Sequence, residues 1–108
     1  MLNTEFELEV VGIQKWDVLD DNVDVEVRFP DGRRYTATFF TLKNLESLFK
    51  KNRETGECLN GMYLWAIEMI IVENLERSTM TSTVKNLLQE DEFESAFTRV
   101  SDVGIIDS

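Results

Sequence analysis

The stretch VDVEVRFPDGRRYTATFF, residues Val23–Phe40, constrains the chain more than any other. Val23, Val25, Val27 and Phe29 alternate with Asp24, Glu26 and Arg28. That period of two belongs to a strand with one buried and one wet face. Pro30-Asp31-Gly32 follows, where proline presets φ and glycine accepts a positive φ, as a hairpin turn requires. Tyr35, Ala37 and Phe39 then share one face of a further strand from about Arg34 to Phe40. The two runs are therefore predicted to pair antiparallel.

Weaker signals extend this pattern on both sides. Phe6, Leu8 and Val10 alternate with Glu5, Glu7 and Glu9, which predicts another half-wet strand within Glu5–Gln14 and a turn around Asp17–Asn22. After Phe40, Leu42, Leu45, Leu48 and Phe49 recur at helical spacing, with Thr41 placed to cap the start and Gly56 past the end. Asn60-Gly61 supplies a turn before Tyr63–Val72, in which Glu68 is the one carboxylate among ten residues. Its β-branched and aromatic content predicts a strand, and its two apolar faces predict a central one covered on both sides.

The remainder reads as helical. Ser78, Thr79 and Thr81 are candidate caps, with Met80, Val84, Leu87 and Leu88 as the apolar stripe. Asp91-Glu92-Phe93-Glu94 has the form of a capping box that opens a short helix with Phe93 and Phe97 one turn apart. The last eight residues, 101–108, carry no strong signal. The expectation is a single α+β domain over residues 1–108: an antiparallel four-stranded sheet in the order β-β-β-α-β-α, with helices mainly on one face. A chain of 108 residues buries roughly 65% of its unfolded surface, enough for one core.

Charge narrows the function. Eleven Lys and Arg against 21 Asp and Glu give a net charge of −10. Residues 1–32 hold nine acids against Lys15 and Arg28, and residues 57–108 hold ten against Arg77, Lys85 and Arg99. Such a surface repels phosphate backbones, which disfavours direct nucleic-acid binding, and attracts a basic protein. It also serves solubility alone. One cysteine, Cys58, excludes an intrachain disulfide and fits a reducing compartment. The acids of MLNTEFELEV stand where a secretory signal needs basic residues, and the longest apolar run is too short to span a bilayer. A cytoplasmic protein with no membrane contact is expected.

Recognisable catalytic chemistry is sparse. The chain has no histidine, which removes the commonest general base and metal ligand, and its five glycines form no phosphate loop. Cys58 follows Glu57 with no basic activator beside it in sequence. Asp20, Asn22, Asp24 and Asp31 fall at calcium-loop spacings, but Val25 stands where that loop needs glycine. Tyr35, Phe39 and Trp65 lack interleaved cations and are expected in the core rather than on a base-stacking platform. Neither an enzyme activity nor a metal or cofactor is expected. For Glu68 three readings stand: a solvent-facing strand carboxylate, a buried partner of Arg28 or Arg34, or a member of a partner-binding surface.

Tyr63-Leu64-Trp65-Ala66-Ile67-Glu68-Met69-Ile70-Ile71-Val72-Glu73 resembles the WAxDMIIVE-like strand of a group of small acidic bacterial proteins, with Glu68 where their pattern has Asp. Gly32–Phe40, Thr55–Leu59 and the EFESxF-like Glu92–Phe97 are similar too, so the resemblance covers roughly residues 23–100. In size and acidity such proteins resemble immunity proteins of bacterial toxin systems. The resemblance implies a non-catalytic module that occludes the basic cleft of a cognate toxin, for instance a nuclease. The expected contact residues are Asp17, Asp20, Asp21 and Asp24 in the acidic loop, with Glu68 and Glu73 on the sheet. The alternative is a structural homo-oligomer, such as a homodimer, or a subunit of a complex. The two apolar faces of Tyr63–Val72 motivate it.

Overall fold

A computed structural model describes residues 5–100 of the chain. The tail 101–108 lies outside them. The alternating runs form an antiparallel meander: β1 (Glu7–Val11), β2 (Asn22–Arg28) and β3 (Arg34–Thr41). In register, Val23 faces Phe39, Val25 faces Ala37 and Val27 faces Tyr35. Each of these six residues is buried, so the period-two pattern marks the core face throughout. At the turn, the Phe29 N–H donates to the Arg33 carbonyl at 2.9 Å and Gly32 adopts φ 94°. The Arg33 backbone N–H and guanidinium both donate to Asp31, which holds that carboxyl below the usual carboxylate range.

The fold is α+β, as expected, with five strands and four helices among the described residues. α1 (Leu42–Thr55) and the short turn α2 (Glu57–Gly61) lead to β4 (Met69–Val72). α3 (Arg77–Gln89), α4 (Phe93–Ala96) and β5 (Thr98–Val100) follow. The sheet order is β1-β2-β3-β4, with β5 also on β3. The outer edge of β3 is thus shared: β4 pairs parallel with Thr38–Thr41, and β5 pairs antiparallel with Arg34–Thr36. A fifth strand and one parallel pairing therefore extend the four-stranded antiparallel expectation.

One core unites the meander with α3 and α4. Met80 and Val84 of α3 are fully buried in the same cluster as the valines of β2, Leu75 and Phe93. Phe93 stacks on Phe97 at 4.5 Å between centroids and meets Tyr35 and Phe29 edge-on at 4.9 and 5.6 Å. Leu45 and Asn52 of α1 are buried outside this cluster. α1 packs chiefly on α2 and on the end of β3, so it projects as an arm. The radius of gyration, 15.4 Å, exceeds the about 13 Å of a compact domain of this size accordingly.

Local helix signals hold unevenly. Thr41 caps α1 as expected: its hydroxyl accepts the Asn44 N–H at 3.1 Å and the Asp21 N–H at 3.4 Å, and Gly56 closes the helix with φ 87°. Replacing Thr41 with valine removes the cap at a buried site, and urea denaturation should show about 1–2 kcal/mol lost. The expected caps of α3 are corrected. The helix starts after Glu76, and Asn74 organises the approach by accepting from the Glu76 N–H and the Thr79 hydroxyl. Glu92 makes no side-chain cap bond to α4, so the capping box is absent. Burial of Phe93 and Phe97, rather than capping, holds that short turn.

The largest correction concerns Tyr63–Val72. Only Met69–Val72 is strand, and it lies at the outer edge of β3 rather than in the middle of the sheet. Residues 63–67 are irregular and largely exposed. The apolar run was expected between two covered faces, yet Trp65 is 69% and Ile67 65% accessible.

Candidate interaction surfaces

Two surfaces stand out, one acidic and one apolar. The acidic surface begins with the sheet face opposite the core. Cross-strand register places Glu7, Glu9, Asp24, Glu26, Arg28 and Arg34 on it. Glu26 is the focus of its ion pairs: Arg28 Nε reaches it at 2.6 Å and Arg34 Nη1 at 3.4 Å. Arg28 also binds Glu9. These contacts raise the Arg28 pKa, the Glu26 hydrogen bond most. Solvent screening makes exposed pairs of this kind worth little in stability. Glu7 and Asp24 remain without an ion pair among the described residues, although the Thr38 hydroxyl donates to Asp24 at 2.8 Å.

The loop between β1 and β2 continues this surface at one end of the sheet. Asp17 accepts the N–H groups of Leu19 and Asp20, and Asp21 accepts that of Asp17, at 3.0–3.2 Å. Short carboxylate side chains form such turns readily because they reach nearby backbone donors. The Ser47 hydroxyl and Asn44 amide of α1 lie 3.5 Å from Asp20. The loop is strapped to the residues after β4: Leu75 N–H donates to the Val18 carbonyl at 2.7 Å, and Trp16 Nε1 donates to the Leu75 carbonyl at 2.9 Å. Arg77 lies 5.4 Å over the Trp16 ring, a cation–π contact that secures the same corner.

Glu73 follows directly on Val72, which pairs with Thr41, while Thr41 N–H donates to the Asp21 carbonyl. Asp17, Asp20, Asp21 and Glu73 thus gather at one end of the sheet, and Asp24 joins them on the adjoining face. Glu68 stands apart, at the other end of β4. It is half-buried, adopts φ 53° and passes its carbonyl to the Thr38 N–H. It lies just before the strand, and among the described residues it forms no ion pair with Arg28 or Arg34. A left-handed conformation at such a residue costs about 1 kcal/mol.

The apolar surface lies where the homo-oligomer alternative looked for one, in Tyr63–Val72, but mostly on an irregular segment rather than on a strand face. α1 leads away from the sheet, α2 turns the chain, and residues 62–68 return it to β4. Within α2, Cys58, Leu59 and Asn60 all have φ of 52–56°, a left-handed turn flanked by Gly56 and Gly61. Leu59, Met62, Trp65 and Ile67 project along the return, at 65–78% exposure, and Ile71 continues the strip on β4. Tyr35 and Phe39 are buried as expected, whereas Trp65 is the exception to the expected aromatic core. The available signal was the absence of polar positions in Met62–Ile67: a segment apolar on every side demands cover, and the chain itself supplies little.

A groove of about 950 Å³ lies between β1, the β2–β3 turn and α3, with Phe6, Leu8 and Phe29 beside Arg28, Arg77 and Lys85. Asn22 and Asp24, two positions of the calcium-like spacing, lie in β2, where the backbone is extended. No group of three Asp, Glu or Cys side chains among the described residues could hold a metal ion, and no described helix is long and apolar enough to cross a membrane. Comparison of the chain with protein-family models, curated proteins and solved structures returned no match.

Proposed function

We propose that this chain is a protein-binding module that docks a basic partner protein, most concretely as an immunity protein that occludes the cleft of a toxin. The observation that carries this reading is the continuity of the acidic loop with the charged sheet face opposite the core. Asp17, Asp20, Asp21, Asp24 and Glu73 occupy neighbouring positions, and none has an ion-pair partner among the described residues. The body of the domain supports that surface rigidly, because β2 and β3 behind it carry the core. Carboxylates held this way steer a cationic partner during encounter and make association sensitive to salt. The resemblance of Tyr63–Glu73 to small acidic bacterial proteins agrees with the toxin-neutralising form of this activity.

The structure also selects the variants. Lysine at Asp17 or Asp21 would break the turn itself, because their carboxylates hold its backbone N–H groups. Asparagine keeps an acceptor oxygen and removes the charge. The tagged chain should retain a basic protein from its host at low salt and lose it at high salt, and that protein should arrest growth when expressed alone but not with this chain. The quadruple change Asp17→Asn, Asp20→Asn, Asp21→Asn and Asp24→Asn should slow association about tenfold or more at low salt. A retained partner whose association rate ignores both salt and these changes would sink the acidic-face reading.

A further inference from the structure

We propose that residues 42–67 are a dimerisation arm, and that the apolar strip on it is covered by a second copy of this chain. The strip follows the chain from Leu59 and Met62 at the far turn through Trp65 and Ile67 on the return to Ile71 in β4, and Leu42 at the start of α1 adds a sixth exposed apolar residue. At their exposures of 54–78%, these six side chains present on the order of 800 Å², about what one partner contributes to a standard stable interface. A strip of this size exceeds the largest apolar patch of a typical monomer.

Charge identifies the occupant. Residues 42–67 carry Lys43, Lys50, Lys51 and Arg53 against Glu46, Glu54 and Glu57, four minus three, a net +1. Since the whole chain is −10, the remainder carries −11. The arm is therefore ill suited to the basic protein that the acidic face would draw. It suits an acidic body with an apolar strip of its own, which is what a second copy offers. In a two-fold pair the match is reciprocal, because each arm meets the opposite sign on the other copy. Edge strand β4 leads into the same surface: Glu68 passes its carbonyl to β3, so by alternation Met69 and Ile71 direct their backbone groups to the free side. The apolar anchors Trp65 and Ile67 are separate residues from Asp17, Asp20, Asp21 and Asp24, so the two readings are tested by different variants.

The test is sedimentation equilibrium of the full chain at micromolar concentration and physiological salt. The expected species has twice the 12.6 kDa chain mass. The pair Trp65→Ser and Ile67→Glu should weaken dimerisation about hundredfold, since central aromatic and aliphatic anchors carry most of an interface's energy. Lys50→Glu with Lys51→Glu alters exposed helical positions and should weaken it about tenfold. Circular dichroism confirms that both variants fold. A wild-type chain that stays monomeric at tens of micromolar, or a dimer unmoved by both variants, would overturn the proposal. Retention of the basic partner by the Trp65/Ile67 variant separates the two surfaces.

Discussion

Phe93→Ala is expected to lower the unfolding free energy by about 3–5 kcal/mol, the range for aromatic truncation in a core. Phe93 is buried and joins three further rings, stacking on Phe97 and meeting Phe29 and Tyr35 edge-on. It lies on a four-residue helix without a side-chain cap, so little else fixes α4. Its removal should release α4 and then β5, whose three residues continue directly from Phe97. Because a domain of this size has only about 5–15 kcal/mol in total, a large unfolded fraction at 37 °C is expected. Urea denaturation followed by tryptophan fluorescence measures the loss. A drop under about 1 kcal/mol would mean that the aromatic cluster is not what holds the helical layer on the sheet.

Gly61→Ala should be nearly as damaging, but in a different place. Gly61 has φ 80°, and a Cβ there would sit 2.4 Å from Arg53 Cγ, 2.7 Å from the Phe49 carbonyl oxygen and 2.9 Å from the Arg53 nitrogen. The arginine side chain can move; the two backbone atoms of α1 cannot without unwinding its last turn. Positive φ adds its own penalty, and the combined loss should be about 2–4 kcal/mol. It should fall on the arm, because Leu45 and Asn52 are buried outside the main cluster. Hydrogen exchange is the discriminating measurement. Amides in the last turn of α1 should lose protection while those of Val25 and Phe39 keep it. Uniform loss across the sheet would show that arm and body unfold as one unit.

Much of the body was legible in the sequence because its signals are local. Val23, Val25 and Val27 announce a buried face within five residues, Pro30-Asp31-Gly32 is a hairpin turn in three, and Thr41 with Gly56 bounds a helix by chemistry at each end. The candidate site was legible in part. Asp17, Asp20 and Asp21 do share one loop, but the half-burial of Asp20 and Asp21 and the work of Asp17 and Asp21 as acceptors within that turn were not readable. Asp24 belongs to β2, and the separation of Glu68 from Glu73 across β4 follows from where that strand pairs.

Tertiary structure alone decided the fate of Tyr63–Val72. Its residues favour a strand by composition, yet backbone pairing needs a free edge, and β3 offers only Thr38–Thr41 to it because β5 takes Arg34–Thr36. Four residues therefore become strand, and the apolar positions before them are left on an arm. Alternation, turns and caps depend on neighbours a few residues away, so the sequence by itself determined the meander, α1 and the sign of the charge. Which edge is occupied, and which apolar run goes uncovered, depends on contacts between residues far apart in the chain. That competition is resolved only when the whole domain packs.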